Sequence, residues 1–272
     1  MYMNKEKSIR FGIVQGRLTQ SPPGCLQWFP QEKWRDEFAL AAGVGIDYIE
    51  LIAEEQHNPD NPIWSEAGTD EIISLTSENG LTLHSLCNDY VIKHGLLGND
   101  DVMGQNLELI GRAGKLGMDK FILPLFGQSE LTAANADDYM APVRQIAGAA
   151  LGQGMTTCLE TNLPGSDLAA FLDGTGLASV KAVYDTGNRA PFTPDLGADI
   201  RLLRPHIAHV HIKDKNADNE NVLLGSGLVD FADVFQALSD IAYGGPFTFE
   251  TRRGTDPLHT AAENIKLVRR FY

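Results

Sequence analysis

The chain has 272 residues, of which 43% are hydrophobic, 21% charged and 8% aromatic. This composition is typical of a folded globular protein, and it excludes a collagen-like repeat, a coiled coil and a largely disordered chain. The formal net charge of −14, from 36 acidic and 22 basic residues, argues against the basic surface that binding to nucleic acid requires.

Short apolar or β-branched runs recur along the chain and predict eight strands. The first four are RFGIV before Gln15, DYIEL around Glu50, LTLHSL around His84 and KFILPL after Lys120. The next four are TTCLE ending at Glu160, VKAVYD ending at Asp185, IAHVHIKD around His211 and PFTFE ending at Glu250. Their spacing of about 34 residues leaves room for a helix and two loops after each strand.

Amphipathic segments between these runs predict helices. PQEKWRDEFALAAGVG places Trp34, Phe38 and Ala41 on one face and ends at glycines, as a helix with a glycine C-cap does. Eight strand–helix units favour a (β/α)₈ barrel. A doubly wound open sheet is the alternative, but no phosphate loop or GxGxxG pattern follows the first strand. We therefore predict an α/β fold in which residues 1–272 form a single TIM-barrel domain.

Two features predict the cellular compartment. The N-terminal residues lack an apolar leader, and no window approaches the roughly 18 apolar residues that a membrane span needs. The cysteines, Cys25, Cys87 and Cys158, show no CxxC spacing, which indicates free thiols in a reducing compartment. We expect a cytoplasmic protein that contacts neither membrane nor nucleic acid.

Potential metal ligands stand at the ends of four successive predicted strands: Glu160, Asp185, His211 and Glu250. In a parallel barrel, functional groups lie at the carboxyl ends of the strands. Unpaired buried carboxylates cost several kcal/mol each, so converging ones would repel unless a cation lay between them. An oxygen-rich set with one imidazole suits one divalent ion, with Mn²⁺ or Mg²⁺ favoured and Co²⁺ or Zn²⁺ possible.

These residues carry a family resemblance. LETN, VYDTGN, HVHIKD and FTFETR resemble the metal-ligand segments of ketose and ketose-phosphate 3-epimerases, in the xylose-isomerase-like superfamily of barrels. The resemblance implies a metal-dependent isomerase or epimerase of a keto-sugar or sugar phosphate, and it leaves a homo-oligomer possible. The superfamily also includes AP endonucleases, but their additional histidines on early strands are represented here mainly by His84.

The expected chemistry is proton transfer next to a carbonyl. A metal bound to the carbonyl and the adjacent hydroxyl stabilises an enediolate and so acidifies the neighbouring C–H bond. Glu160 and Glu250 come from strands three steps apart around the ring, so we assign both a double role as metal ligand and acid/base. Asp185 and His211 are expected to be ligands only.

Two other readings stay open within this fold. A lyase resembling inosose or dehydroshikimate dehydratases starts with the same proton abstraction, and His84 is a candidate for the acid that its leaving group needs. A non-catalytic sugar-binding barrel is the third reading, and the four intact ligand positions count against it.

Six further residues are candidates for substrate binding: Arg17, Glu50, His84, Asn188, Lys213 and Arg252. Asn188 stands where several family members have His, and the DxGN and VHxKD segments resemble the L-ribulose-phosphate 3-epimerase branch, which favours a phosphorylated or otherwise acidic sugar. His84 and Glu50 are expected at the ends of the third and second strands, where Glu50 would orient His84 or a substrate hydroxyl. Lys213 is expected to neutralise an excess carboxylate.

The two arginines are candidates for an anionic group on the substrate. Arg252 shares a face with Glu250 by alternation and is the leading one. Arg17 follows the first strand, and an arginine there commonly pairs with a carboxylate such as Glu50.

Overall fold

The computed structural model describes residues 9–271, so the ends of the domain predicted over 1–272 lie outside the described residues. The barrel strands are β1 (Phe11–Val14), β2 (Tyr48–Ala53), β3 (Ser85–Asn88), β4 (Lys120–Pro124), β5 (Thr156–Glu160), β6 (Val180–Asp185), β7 (Ile207–Ile212) and β8 (Phe247–Phe249). Each strand pairs in parallel with its neighbours in the chain, and β8 pairs with β1 to close the ring. The predicted (β/α)₈ barrel is confirmed.

The connections between the strands are mainly helical. The α-helices are α1 (Asp36–Val44), α2 (Glu66–Glu78), α3 (Tyr90–His94), α4 (Asp100–Lys115), α5 (Ala136–Gly152), α6 (Gly165–Thr175), α7 (Thr186–Arg189), α8 (Leu196–Leu202), α9 (Phe231–Asp240) and α10 (Pro257–Val268). Short 3₁₀ helices cover Pro62–Trp64 and Gly127–Ser129, and an antiparallel ribbon joins Asp214–Lys215 to Asn221–Val222. In residues 9–271, no helix combines the length and apolarity needed to cross a membrane.

The strands read as apolar runs because both of their faces are covered, one by the helices and one by the barrel interior. Every residue of β1, β2 and β3 is buried. Near the seam of the barrel, the rings of Phe11 and Phe249 stack with centroids 5.6 Å apart. Helix α1 ends at Gly45, whose φ of 86° fits the predicted glycine C-cap.

The third strand lies later in the chain than the sequence predicted. From LTLHSL, only Thr82 makes an isolated bridge to Tyr48 before β3 begins at Ser85. His84 Nδ1 lies 2.6 Å from Oδ1 of Asp119, the residue immediately before β4. His84 therefore lies at the amino end of β3, and the prediction that it stands at the carboxyl end is wrong.

The loop after β1 is attached to the segment after β8. Arg253 Nε donates to the carbonyl of Gly16 at 2.7 Å, and its Nη1 donates to the carbonyls of Cys25 and Leu26. From α1, the carboxylate of Glu37 accepts the backbone N–H of Gly16 at 2.7 Å. The contacts of Arg253 fix the loop after β1 against the segment after β8 at the carboxyl edge of the barrel.

Candidate metal centre and cavity

Four side chains at the carboxyl edge of the barrel converge on one point. Glu160 and Asp185 are the last residues of β5 and β6, His211 lies in β7, and Glu250 follows β8 directly. One potential ligand atom from each lies within 4.8 Å of the others. The structure thus brings together the four residues that the sequence predicted as a metal-ligand set.

The imidazole of His211 stands against the three carboxylates of this four-residue cluster. Its Nδ1 lies 3.1 Å from Glu250 Oε2, 3.7 Å from Glu160 Oε2 and 3.9 Å from Asp185 Oδ2. Both this Nδ1 and Asp185 Oδ2 are buried without a hydrogen-bond partner. These two atoms can each offer a lone pair and have no hydrogen-bond partner, so a cation between them would satisfy both.

Glu50 fixes the orientation of the His211 ring. Its Oε1 lies 3.0 Å from His211 Nε2, and its Oε2 accepts from Ser85 Oγ at 2.7 Å and lies 2.8 Å from His209 Nε2. Because Nε2 carries the proton in this bond, a neutral His211 presents a free lone pair on Nδ1 to the cluster. Glu50 was expected to orient His84 or a substrate hydroxyl, and in the structure its carboxylate contacts His211 and His209.

Two cations balance part of the negative charge of the cluster. Lys213 Nζ lies 2.9 Å from Glu250 Oε1 and 3.5 Å from Asp185 Oδ2, in agreement with the expectation that it neutralises a carboxylate. Arg17 Nη2 lies 3.6 Å from Glu250 Oε1 and donates to Gln27 Oε1 at 2.8 Å. Glu250, rather than Glu50, is the carboxylate that faces Arg17.

The charges in the cluster shift pKa values in opposite directions. Burial, with the nearby carboxylates of Glu250 and Asp185, raises the pKa of Glu160. Burial acts in the same direction on Glu250, but Lys213 and His211 outweigh it and hold that pKa well below its usual range. Against burial, Glu50 and Glu250 raise the pKa of His211 well above its usual value.

The donor set fits a divalent cation. Three carboxylates and one imidazole match the preferences of Mn²⁺ and Mg²⁺ more closely than those of thiolate-seeking metals. The supporting bond from Glu50 to the far nitrogen of His211 is the arrangement that holds a ligating histidine in place.

A cavity of about 160 Å³ opens beside the cluster. On the strand β5–β8 side it is lined by Glu160, Asn188, His211, Lys213 and Glu250. The other lining residues are Val14, Gln27, Glu50, Glu55, Cys87, Asp89, Ile92, Pro124 and Phe126. A concave site with a few convergent polar groups is where a small molecule binds.

Sequence reasoning missed Asp89 and Glu55 in this wall. Asp89 directly follows β3, so the strand-end signal that identified Glu160 applies to it as well. The signal was lost because the third run was read as ending near His84. Glu55 comes from the loop after β2, and no spacing rule places a loop residue over the cavity.

The predicted substrate-binding residues have different outcomes. Asn188 lines the cavity and donates from Nδ2 to Glu160 Oε1 at 2.8 Å. Arg252 is exposed and donates to the carbonyl of Asn221 at 3.3 Å, so its predicted approach to the cavity is wrong. The strand ends at Phe249, and the alternation used to place Arg252 beside Glu250 does not continue beyond it. His84, at the amino end of β3, does not line the cavity either.

The sequence is similar to those of known proteins. The model of the xylose isomerase-like TIM barrel family matches residues 38–271. L-ribulose-5-phosphate 3-epimerase UlaE of Shigella flexneri serotype 5b is 24% identical over 282 residues, covering 96% of this chain and 93% of that protein.

Solved structures show the same fold. A structure of L-ribulose 3-epimerase superimposes with a TM-score of 0.77 at 19% identity, over 97% of this chain and 94% of that one. A xylose isomerase-like TIM barrel protein from Mycobacterium smegmatis, in complex with magnesium, has a TM-score of 0.73 at 19% identity, over 100% and 98% of the chains.

Proposed function

The chain belongs to the xylose isomerase-like TIM barrel family, and on that basis we propose that it is a divalent-metal-dependent isomerase or epimerase of a keto-sugar or sugar phosphate. The observation that carries the proposal is the cluster of Glu160, Asp185, His211 and Glu250, with ligand atoms within 4.8 Å, at the wall of a cavity. The similarity to an L-ribulose-5-phosphate 3-epimerase, which extends over 96% of this chain, supports the proposal.

Glu160, Asp185, His211 and Glu250 would hold one ion, with Mn²⁺ or Mg²⁺ favoured. When bound, the ion supplies electrophilic polarisation of a substrate carbonyl and so acidifies the C–H bond next to it. Glu160 and Glu250 come from β5 and from the end of β8, and both line the cavity, so each carboxylate would be available to a bound substrate. One removes the proton and the other returns a proton to the opposite face, which inverts the carbon.

Neighbouring side chains keep this pair in position. Lys213 holds Glu250 from one side, and Asn188 donates to Glu160 from another. Glu50 orients His211 without entering the proposed proton transfer. The dehydratase alternative loses its candidate acid, because His84 lies outside the cavity wall.

The test combines metal content with proton exchange. The purified protein, prepared without chelator, is expected to hold about one divalent ion per chain and to exchange the hydrogen next to a ketose carbonyl with D₂O, followed by proton NMR. The double variant Glu160→Gln/Glu250→Gln should lose both the ion and the exchange. Glu66→Gln, an exposed carboxylate on α2 paired with Lys115, is the matched control and should keep both.

Two results would overturn the proposal. One is a protein that neither contains a divalent ion nor shows a thermal shift with any added one. The other is a metal-loaded protein that exchanges no hydrogen on a broad panel of ketoses and ketose phosphates, since the proposed reaction cannot proceed without that exchange.

A further inference from the structure

Outside the four-residue cluster, one part of the cavity wall carries two carboxyl groups, those of Asp89 and Glu55, together with the uncharged Gln27, Ile92 and Phe126. Burial raises the pKa of Asp89 to about 7, so this group is fully ionised above about pH 8. A substrate whose carbonyl end lies at Glu160 and Glu250 can extend its other end toward Asp89 and Glu55.

Asp89 is held rigidly in that wall. It is 4% exposed. Its Oδ2 accepts from Gln27 Nε2 at 2.7 Å, and its Oδ1 accepts from Cys87 Sγ at 3.3 Å. Each carboxylate oxygen can accept more than one hydrogen bond, so Asp89 retains acceptor capacity for a hydroxyl in the cavity.

No described residue of the cavity wall offers a free cation. The ammonium group of Lys213 is bound to Glu250 at 2.9 Å and lies 3.5 Å from Asp185. His211 faces carboxylates through both ring nitrogens. An arriving phosphate dianion would therefore meet Asp89 and Glu55 without a compensating partner.

Among the described residues, Arg253 has one unsatisfied donor, Nη2, but it does not line the cavity. Arg17 lies 3.6 Å from Glu250 and has two unsatisfied donors, since its Nε and Nη1 have no hydrogen-bond partner. Its side chain is 1% exposed and is not part of the cavity wall. Its Nη2 is directed at Gln27 and at Glu250. A phosphate approaching Arg17 Nη2 would compete with Gln27, which is bonded to both Arg17 and Asp89.

We infer that Asp89, assisted by Glu55, selects an uncharged polyhydroxylated keto-sugar and rejects its phosphate ester. The inference rests on the proposed function and narrows its substrate class. Asp89 accepts a hydrogen bond from a sugar hydroxyl at the end away from the carbonyl, and both carboxylates repel a phosphate at that position. The chain thus differs from the relatives named for a ribulose phosphate.

The test compares free and phosphorylated substrates on the metal-loaded protein. Solvent deuterium exchange next to the carbonyl is measured for pentuloses, hexuloses and their terminal phosphate esters. At about pH 8.5, where Asp89 is ionised, kcat/KM for the free sugar of the best pair should exceed that for its ester by at least about 100-fold, because like charges placed next to each other strongly disfavour binding.

The double variant Asp89→Asn/Glu55→Gln should narrow this preference by at least about tenfold, with inorganic phosphate becoming a stronger competitive inhibitor. Glu66→Gln should leave the preference unchanged. A wild-type preference for the ester overturns the inference and leaves the proposed function standing, and an unchanged preference in the double variant removes Asp89 and Glu55 from substrate selection. Exchange with neither class overturns the proposed function, and the inference with it.

Discussion

His209 and His211 lie two residues apart on β7, and both direct Nε2 to the carboxylate of Glu50, at 2.8 Å and 3.0 Å. Their pKa values nevertheless move in opposite directions. Burial lowers the pKa of His209 to about 4, despite the nearby Glu50. The carboxylates around His211 outweigh burial and raise its pKa well above the usual value.

The difference lies in what the second nitrogen of each ring faces. His211 belongs to the upper layer of the barrel interior, with Glu160, Asp185 and Glu250. His209 belongs to the layer below, which contains Tyr48, His84 and Thr248. Two residues along β7 therefore separate a charged site from a layer of packed uncharged rings. Glu50 contacts the histidine of each layer.

Breaking the upper layer should have the largest effect. We expect Glu160→Gln to lower the rate of exchange next to the carbonyl by about 10²- to 10⁴-fold, as loss of a positioned acid/base does. Because Glu160 is repelled by Glu250 and Asp185, the metal-free variant should unfold at the same or a higher urea concentration than the wild type. Exchange kinetics and urea titration of the same preparations measure the two effects. A variant with wild-type exchange would contradict the role of this carboxylate.

Removing the shared carboxylate should affect both layers. Glu50→Gln places an amide among donors from Ser85, His209 and His211, and we expect a loss of about 2–3 kcal/mol in the free energy of unfolding. Metal affinity should also fall by about 10- to 100-fold, since Glu50 orients a ligand. Ser85→Ala, which removes one donor and keeps the charge, is the matched control. Unchanged metal affinity in Glu50→Gln would show that His211 needs no such support.

A substitution in the lower layer should reduce the stability of the protein and leave its metal affinity nearly unchanged. His209→Gln removes a buried ring next to His84 and Thr248, and about 1–2 kcal/mol of unfolding free energy should be lost. Metal affinity, measured by calorimetric titration, should change by less than about threefold, because no ligand is removed or freed. A loss as large as that of Glu50→Gln would instead place His209 in the metal site.

The smallest effect should come from the floor of the barrel, where Asp119 accepts from His84. Burial acts to raise the pKa of Asp119, but His84 and Lys120 outweigh it and lower this pKa to about 2, below the usual 3.8 of an aspartate. The ionised form therefore stabilises the fold above about pH 4, and this contribution is lost as the pH falls through 2.

Because the Asp119 side chain is 54% exposed, solvent screening limits its contribution to about 1 kcal/mol or less. Urea titrations of wild type and Asp119→Asn should differ by this amount at pH 7 and converge near pH 2. If the difference in unfolding free energy between the two proteins grew as the pH fell, the pKa of Asp119 would not be lowered in the folded state, and the prediction would be wrong.

The sequence predicted the barrel and the four-residue cluster because both depend on strands alone. Parallel strands covered on both faces appear as apolar runs, and an acid at the end of such a run is conspicuous. Glu160, Asp185 and Glu250 all follow this rule. The closure of the barrel then brings them together without further information from the loops.

The rest of the site depends on contacts that no local pattern encodes. Arg252 and Arg253 are adjacent, yet Arg253 is buried against the β1 loop while Arg252 is exposed. Beyond the last strand residue, tertiary contacts replace alternation in deciding which side chain turns inward. Gln27 and Glu55 reach the cavity from loops for the same reason, and His84 was misplaced because the run around it extends past the true start of β3.

The bond from Arg253 to Gly16 joins residues 237 positions apart, and it has a consequence for how the protein is made. A chain emerging from the ribosome carries Gly16, Cys25 and Leu26 long before Arg253, which donates to all three, has been made. Glu250, the last member of the cluster, appears at the same late stage. Contacts of such long range slow folding, so the first loop of the nascent chain lacks its contacts with Arg253, and the cluster lacks one carboxylate, until the segment after β8 has been made.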